Sequence, residues 1–173
     1  MSAQARTTLV LGGARSGKSR HAQAIAEASA DRRIFVATAQ AFDGEMAERI
    51  AMHQRDRDVS WRTIEAPVDL PGVIVAEAGS GRVLLVDCLT LWLSNLLLAE
   101  ADLEAASDAL VGAIQRAEAN IVFVSNEVGF GIVPDNALAR LFRDAAGRLN
   151  QRLAGVCDAV ELVVAGLPLR IKG

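Results

Sequence analysis

The chain has 173 residues, 51% of them hydrophobic, with 18 basic and 21 acidic side chains and a net charge of −3. A chain of that size suits a single domain, residues 1–173, that buries roughly 70% of its unfolded surface, and the apolar fraction suits a sheet covered on both faces. The charge balance argues against a nucleic-acid partner or a membrane surface, so any anionic ligand has to be held by a local site.

Residues 1–6 (MSAQAR) are too polar for a signal peptide and are expected to form a flexible extension. No apolar run reaches the length of a membrane span, which points to a cytoplasmic protein. Thr7–Leu11 is a short β-rich run, and the alanine-rich Lys18–Ser29 reads as a helix. Arg33–Thr38 is the second strand. A helix is expected over Asp43–Arg57, with Asp43 as N-cap. Trp61–Ile64 is a short extended piece, and Val68–Ala78 a helix closed by Gly79-Ser80-Gly81. Arg82–Val86 has the continuous apolar character of a central parallel strand. Two helices, Leu89–Glu100 and Leu103–Ala119, precede the buried strand Ile121–Ser125. A glycine-containing loop, Val128–Pro134, leads into a long amphipathic helix over Asp135–Gly155, capped by Asp135 or Asn136. Ala159–Ala165 and Leu169–Lys172 close the chain as strands, the last an antiparallel edge. Strands alternating with helices predict a three-layer α/β fold with a mostly parallel sheet. Ligands in such sheets bind at the carboxyl ends of the strands.

The segment after the first strand reads Gly12-Gly13-Ala14-Arg15-Ser16-Gly17-Lys18-Ser19. G-x-x-x-x-G-K-S between a strand and a helix is a phosphate-binding P-loop. Glycines let the backbone curl its N–H groups toward phosphate oxygens, Lys18 can reach the β- and γ-phosphates, and the Ser19 hydroxyl can ligate Mg²⁺. Asp87 closes the Arg82–Val86 strand. It reads either as a second Mg²⁺ group or as the N-cap of the helix beginning at Leu89. Asn126 and Glu127 follow another strand end and can orient water, metal or a substrate hydroxyl, or simply shape a turn. Thr38 and Gln40, flanking Ala39, are placed to reach a nucleotide.

Arg49, His53 and Arg57 are spaced four apart and share one helix face. Arginines grip phosphate, and their field favours the neutral imidazole that can attack phosphorus; the alternative is an exposed basic face. His21 lacks such company and is read as structural. Arg140, Arg143, Arg148 and Arg152 on the long helix form either a phosphate lid or ordinary surface, with Asp135, Asp144, Asn150 and Gln151 nearby as partners. Cys88 and Cys157 have no metal-ligand spacing around them and read as reduced packing residues.

These blocks together resemble the bifunctional adenosylcobinamide kinase/adenosylcobinamide-phosphate guanylyltransferases of cobalamin biosynthesis. The resemblance runs from Leu9 to Lys172 through LVLGGARSGKS, the R-I-x-x-H-x-x-x-R-x-x-x-W-R-T-x-E-x-P pattern from Arg49 to Pro67, VDCLTLWLSNLL and SNEVGFGIVPDNALARLFRDAAGRLNQRLA. It implies a RecA-like domain assembled as a homotrimer, with adenosylcobinamide and its phosphate as substrates. It implies phosphorylation by ATP or GTP with Mg²⁺, then transfer of GMP from GTP. His53 would become guanylylated, and Gly12 to Ser19 would hold the triphosphate. Thr38, Ala39, Gln54, Arg55, Asp56, Arg57, Glu65 and Asp87 would line the nucleotide site. Other readings of the same residues are a P-loop kinase of a different small metabolite without a covalent step, and a nucleotide switch. The switch is disfavoured by the lack of an N-K-x-D sequence.

Overall fold

A computed structural model of the chain describes residues 6–40, 44, 48 and 60–173. The helix expected over 43–57 lies outside the described residues apart from residues 44 and 48. The described elements run β1 (Thr7–Gly12), α1 (Lys18–Ser29), β2 (Arg32–Ala37), β3 (Trp61–Glu65), α2 (Leu70–Glu77), β4 (Arg82–Asp87) and α3 (Leu89–Leu98). They continue with α4 (Leu103–Gln115), β5 (Asn120–Asn126), α5 (Ala137–Val156), β6 (Ala159–Val164) and β7 (Leu167–Lys172). The strands form one seven-stranded sheet in the order β3-β2-β4-β5-β1-β6-β7. All neighbours are parallel except the β6–β7 pair.

The apolar strand runs are explained by burial on both faces, since alternate side chains point to opposite sides. Leu9, Leu84, Val86, Ile121 and Phe123 enter the core beneath α2, α3, α4 and α5. Their neighbours Val10, Val83, Leu85, Val122 and Val124 enter a second core with Ala22 and Ala26 of α1. Trp92 and Phe123 are fully buried, each worth roughly 1.5–3 kcal/mol of transfer free energy. The result is helix, sheet, helix, as expected. Among the described residues no helix is long and apolar enough to cross a membrane.

Element ends differ from the sequence reading where caps decide them. Helix α2 starts at Leu70, two residues later than expected, because Asp69 Oδ1 accepts from Gly72 N at 3.0 Å and Pro71 occupies the first turn. Ala165, expected as strand, lies instead in the hairpin turn: Ala165 and Gly166 have φ of 52° and 78°. Such paired positive angles suit a two-residue turn whose twist matches the flanking strands. The cap of α5 is Asn136, whose Oδ1 accepts from Ala139 N.

Arg6 is tied to the sheet, its N donating to Asn120 Oδ1 at 2.8 Å. One residue on, Thr7 N and Oγ1 donate to Asp158 Oδ2 at 2.7 and 2.9 Å, stitching the start of β1 to the start of β6. These bonds, led by the Thr7 backbone and aided by Arg6 and Lys172, hold the Asp158 carboxyl below its ordinary range despite partial desolvation. A depressed native pKa adds stability that is fully present above the unfolded value and is lost as pH falls through the native one. Asp158→Asn is therefore expected to lower the melting temperature near neutral pH and to flatten its decline on acidification. Melts from about pH 7 to about pH 3 check this; an acid limb as steep as wild type would contradict it.

Candidate nucleotide-transfer site

Residues 13–17 turn the chain from β1 into α1. A Cβ on Gly12 would lie 2.4 Å from Ser16 Oγ and 2.8 Å from Val163 O, so the loop closes only over glycine. Gly17 has φ of 92°, and a Cβ there would come within 3.1 Å of Gly166 Cα. The curl is held from several sides. Ser16 N donates to Gly13 O at 3.3 Å, Gly166 N to Ser16 O at 2.8 Å, and Glu127 N to Gly12 O at 3.0 Å. Gly13, Ala14, Arg15 and Gly17 face solvent, whereas Lys18 is buried, its Nζ donating to Gly13 O at 3.1 Å.

Two features of this curl suit it to an anion. The N-cap of α1 is Gly17, which supplies no side-chain cap, so the first-turn N–H groups and the positive helix end are available to a phosphate. Ser16 Oγ is buried with no hydrogen-bond partner among the described residues. A buried hydroxyl of that kind calls for a partner, and an entering oxyanion supplies one.

The parallel register brings further residues to the same edge. Ala37 pairs with both Glu65 and Asp87, so the ends of β3, β2 and β4 stand in one row. Gly12 pairs with Asn126, aligning β1 with β5. Strand β5 separates β4 from β1, which sets Asp87 two strand spacings, about 10 Å, to one side of the P-loop strand. Asp87 is not the cap of α3. That position belongs to Cys88, whose Sγ accepts from Leu91 N at 3.4 Å, so the capping alternative for Asp87 falls away. Ser19 and Asp87 offer hydroxyl and carboxylate oxygens, the hard donors that suit Mg²⁺. Among the described residues no group of three or more His, Cys, Asp or Glu could hold a metal.

Thr38 is fully buried: its Oγ1 donates to Cys88 O at 2.7 Å and accepts from Cys88 N at 2.8 Å. Ala39 and Gln40 follow it, half-buried. The sequence reading missed the group that braces this corner. Asn95 Nδ2 donates to Thr38 O at 2.8 Å and to Pro67 O at 2.9 Å, and Trp92 Nε1 donates to Val68 O at 2.7 Å. One polar side chain on α3 thereby fastens the chain where it leaves β2 and where it leaves β3. The only signal for it was a polar residue inside the apolar helix LTLWLSNLLL.

Residues 8–171 match the family described as cobinamide kinase/cobinamide phosphate guanyltransferase. The chain belongs to this family. The bifunctional adenosylcobalamin biosynthesis protein CobP of Pseudomonas aeruginosa is 48% identical over 167 residues, covering 95% of this chain and 96% of the relative. CobU of Salmonella typhimurium is 46% identical, covering 95% and 98%. CobU of Escherichia coli is 43% identical over the same shares. Among solved structures, the type III secretion ATPase EscN of enteropathogenic E. coli superposes with a TM-score of 0.62 at 11% identity, covering 93% of this chain and 43% of that one. A Pyrococcus horikoshii protein superposes with a TM-score of 0.58 at 12% identity, covering 98% and 87%. At such identities the likeness shows the fold, a RecA-like α/β arrangement.

In this cobinamide kinase/guanyltransferase chain several other predicted residues stand apart from the P-loop edge or outside the described residues. His53, Gln54, Arg55, Asp56 and Arg57 lie outside the described residues, as does Arg49. His21 is structural: its Nε2 lies 2.5 Å from Glu161 Oε2 on β6, and Arg170 donates to Glu161 Oε1 at 3.5 Å. The arginines of α5 are mostly engaged by surface and packing contacts. Arg152 pairs with Glu104 and Asp108 of α4, and Arg148 lies 3.8 Å from Glu104, so α4 supplies carboxylates the sequence reading had not considered. Arg143 does pair with Asp144, and Arg140 donates to Pro134 O at 2.8 Å. Asn150 turns inward to Ser125 Oγ instead of toward an arginine. Glu127 Oε1 accepts from Gly129 N at 2.6 Å, the turn-shaping alternative for that residue. Both cysteines are buried free thiols; burial pushes Cys88 up to about 11, with Asp87 adding to the effect, and Cys157 up to about 12. Neither is a nucleophile near neutral pH.

Proposed function

We propose that the protein phosphorylates adenosylcobinamide with ATP or GTP, then transfers GMP from GTP to the resulting phosphate through a guanylylated His53. The kinase step releases ADP or GDP, and the transfer step gives adenosylcobinamide-GDP and pyrophosphate. The observation that carries this reading is the uncapped P-loop with its buried Lys18, in a chain whose relatives match along nearly their whole length.

In the kinase step the loop N–H groups and Lys18 bind the β- and γ-phosphates, and the acceptor hydroxyl attacks the γ-phosphorus while the bond to the β-phosphate oxygen breaks. Ser19 and Asp87 would hold Mg²⁺, which when bound neutralises charge on the phosphate oxygens. In the second step the neutral imidazole of His53 attacks the α-phosphorus of GTP. An N–P bond forms as pyrophosphate leaves, and Arg49, Arg55 and Arg57 offset the charge that develops. An oxygen of the cobinamide phosphate then attacks the same phosphorus, the N–P bond breaks, and His53 is regenerated. The first step needs the γ-phosphate attacked and the second the α-phosphate. The reading includes a homotrimer acting in the cytoplasm.

The test is mass spectrometry of the wild-type protein after exposure to GTP and Mg²⁺. An acid-labile, base-stable adduct of one GMP is expected, with pyrophosphate released. Release of nucleoside diphosphate alone, with no adduct and no pyrophosphate in the presence of cobinamide, would leave a plain kinase.

A further inference from the structure

The 128–133 loop exposes side chains that folding does not require there. Phe130 is 86% exposed, Ile132 98% and Val133 64%. Their backbone is nevertheless fastened at both ends. Glu127 N bonds to Gly12 of the P-loop, Gly129 N to the Glu127 carboxylate, and Pro134 O accepts from Arg140. At the start of α5, Leu138 and Leu141, three residues apart on one face, are exposed as well. An anchored loop that holds large apolar side chains in water marks a binding surface.

The position of the loop limits what it can bind. It leaves the carboxyl end of β5, the strand hydrogen-bonded to β1, and its root is bonded to the residue that opens the P-loop. A phosphoryl acceptor has to approach the far end of a triphosphate from this edge, in line with the breaking bond. The family's acceptor, cobinamide, is a macrocycle carrying methyl groups and amides, and it reacts through one small hydroxyl on a side arm. Binding energy for such a substrate has to come from parts remote from the reacting atom, and a macrocycle with apolar faces is matched by apolar side chains. Another exposed apolar run among the described residues, Leu167, Leu169 and Ile171, lies on edge strand β7. That kind of surface is covered by pairing with another strand. The 128–133 loop is no strand and offers no such ladder.

We infer that Phe130, Ile132 and Val133 form the platform on which the corrin ring rests while its side-arm hydroxyl reaches the P-loop. This rests on the function proposed above and adds its specificity-determining residues. The experiment uses the full chain as wild type, as the double variant Phe130→Ser/Ile132→Ser, and as Phe130→Leu. It reads kinase KM for cobinamide, KM for GTP, kcat, direct binding of cobinamide by equilibrium dialysis, and mass by light scattering. Losing two buried apolar contacts should raise the cobinamide KM and Kd of the double variant about tenfold or more. Its GTP KM, kcat and mass should not move, and Phe130→Leu should retain most of the affinity. A cobinamide Kd within about twofold of wild type overturns the inference. So does a fall in mass, which would make the loop an interface between copies. A wild-type protein that binds cobinamide through this loop but never phosphorylates it would instead overturn the proposed function.

Discussion

Lys18→Ala is expected to slow both phosphoryl transfer to cobinamide and GMP transfer by about 10²–10³-fold, the usual loss on removing one preorganised electrostatic contact. The ammonium is buried under the loop, with Gly13 O as its hydrogen-bond partner. A cation held in that place needs little reorganisation to meet the β- and γ-phosphates, and its charge is poorly screened there. Arg15, the other cation of the loop, is exposed, so water screens it and it substitutes weakly. Lys18 bonds within its own loop, so the melting temperature should move little. Rates are read as nucleoside diphosphate release and as GMP incorporation into the corrinoid product. Wild-type rates for either reaction in a folded variant would remove Lys18 from the shared triphosphate site.

His53→Ala is expected to separate the two reactions. GMP transfer and labelling of the protein by radioactive GTP should fall below detection, a loss of about 10⁴-fold or more, as when a covalent nucleophile is deleted. The kinase step needs no imidazole, because there the substrate hydroxyl is itself the nucleophile. That activity should persist within about tenfold of wild type. The same variant therefore carries its own control for folding and nucleotide binding. If the variant still takes up label, His53 is not the acceptor, and the label has to be traced by peptide mapping.

The parts of the site legible in the sequence are those in which chemistry and spacing are local. Gly12 to Ser19 could be read because a P-loop is a consecutive run whose conformation follows from its own glycines. Gly12, with no room for a Cβ beside Ser16 Oγ and Val163 O, and Gly17, with φ of 92°, show why. The place of Asp87 at a strand's carboxyl end could be read because it closes an apolar run, and strand ends are where such folds bind ligands. Asn95 could not be read. Its partners, Thr38 and Pro67, are 57 and 28 residues away, and nothing in the helix LTLWLSNLLL indicates which strand ends it will meet. The arginines of α5 show the same limit. The acidic and amide residues near them in sequence were natural partners, yet Arg148 and Arg152 face α4 and take Glu104 and, for Arg152, Asp108.

By itself the sequence determined the period of each element, the apolar character of the central strands, the P-loop and the α/β class. These depend on backbone geometry over a few residues, where a turn of helix or the pleat of a strand dictates the spacing. Only the tertiary structure decided that β5 lies between β1 and β4, that the β6–β7 turn supports the P-loop through Gly166 and Ser16, and that Thr38 turns its hydroxyl onto Cys88. Strand order and long-range pairing emerge from many weak burial and hydrogen-bonding terms summed over both faces of the sheet, and no single stretch of chain contains that sum.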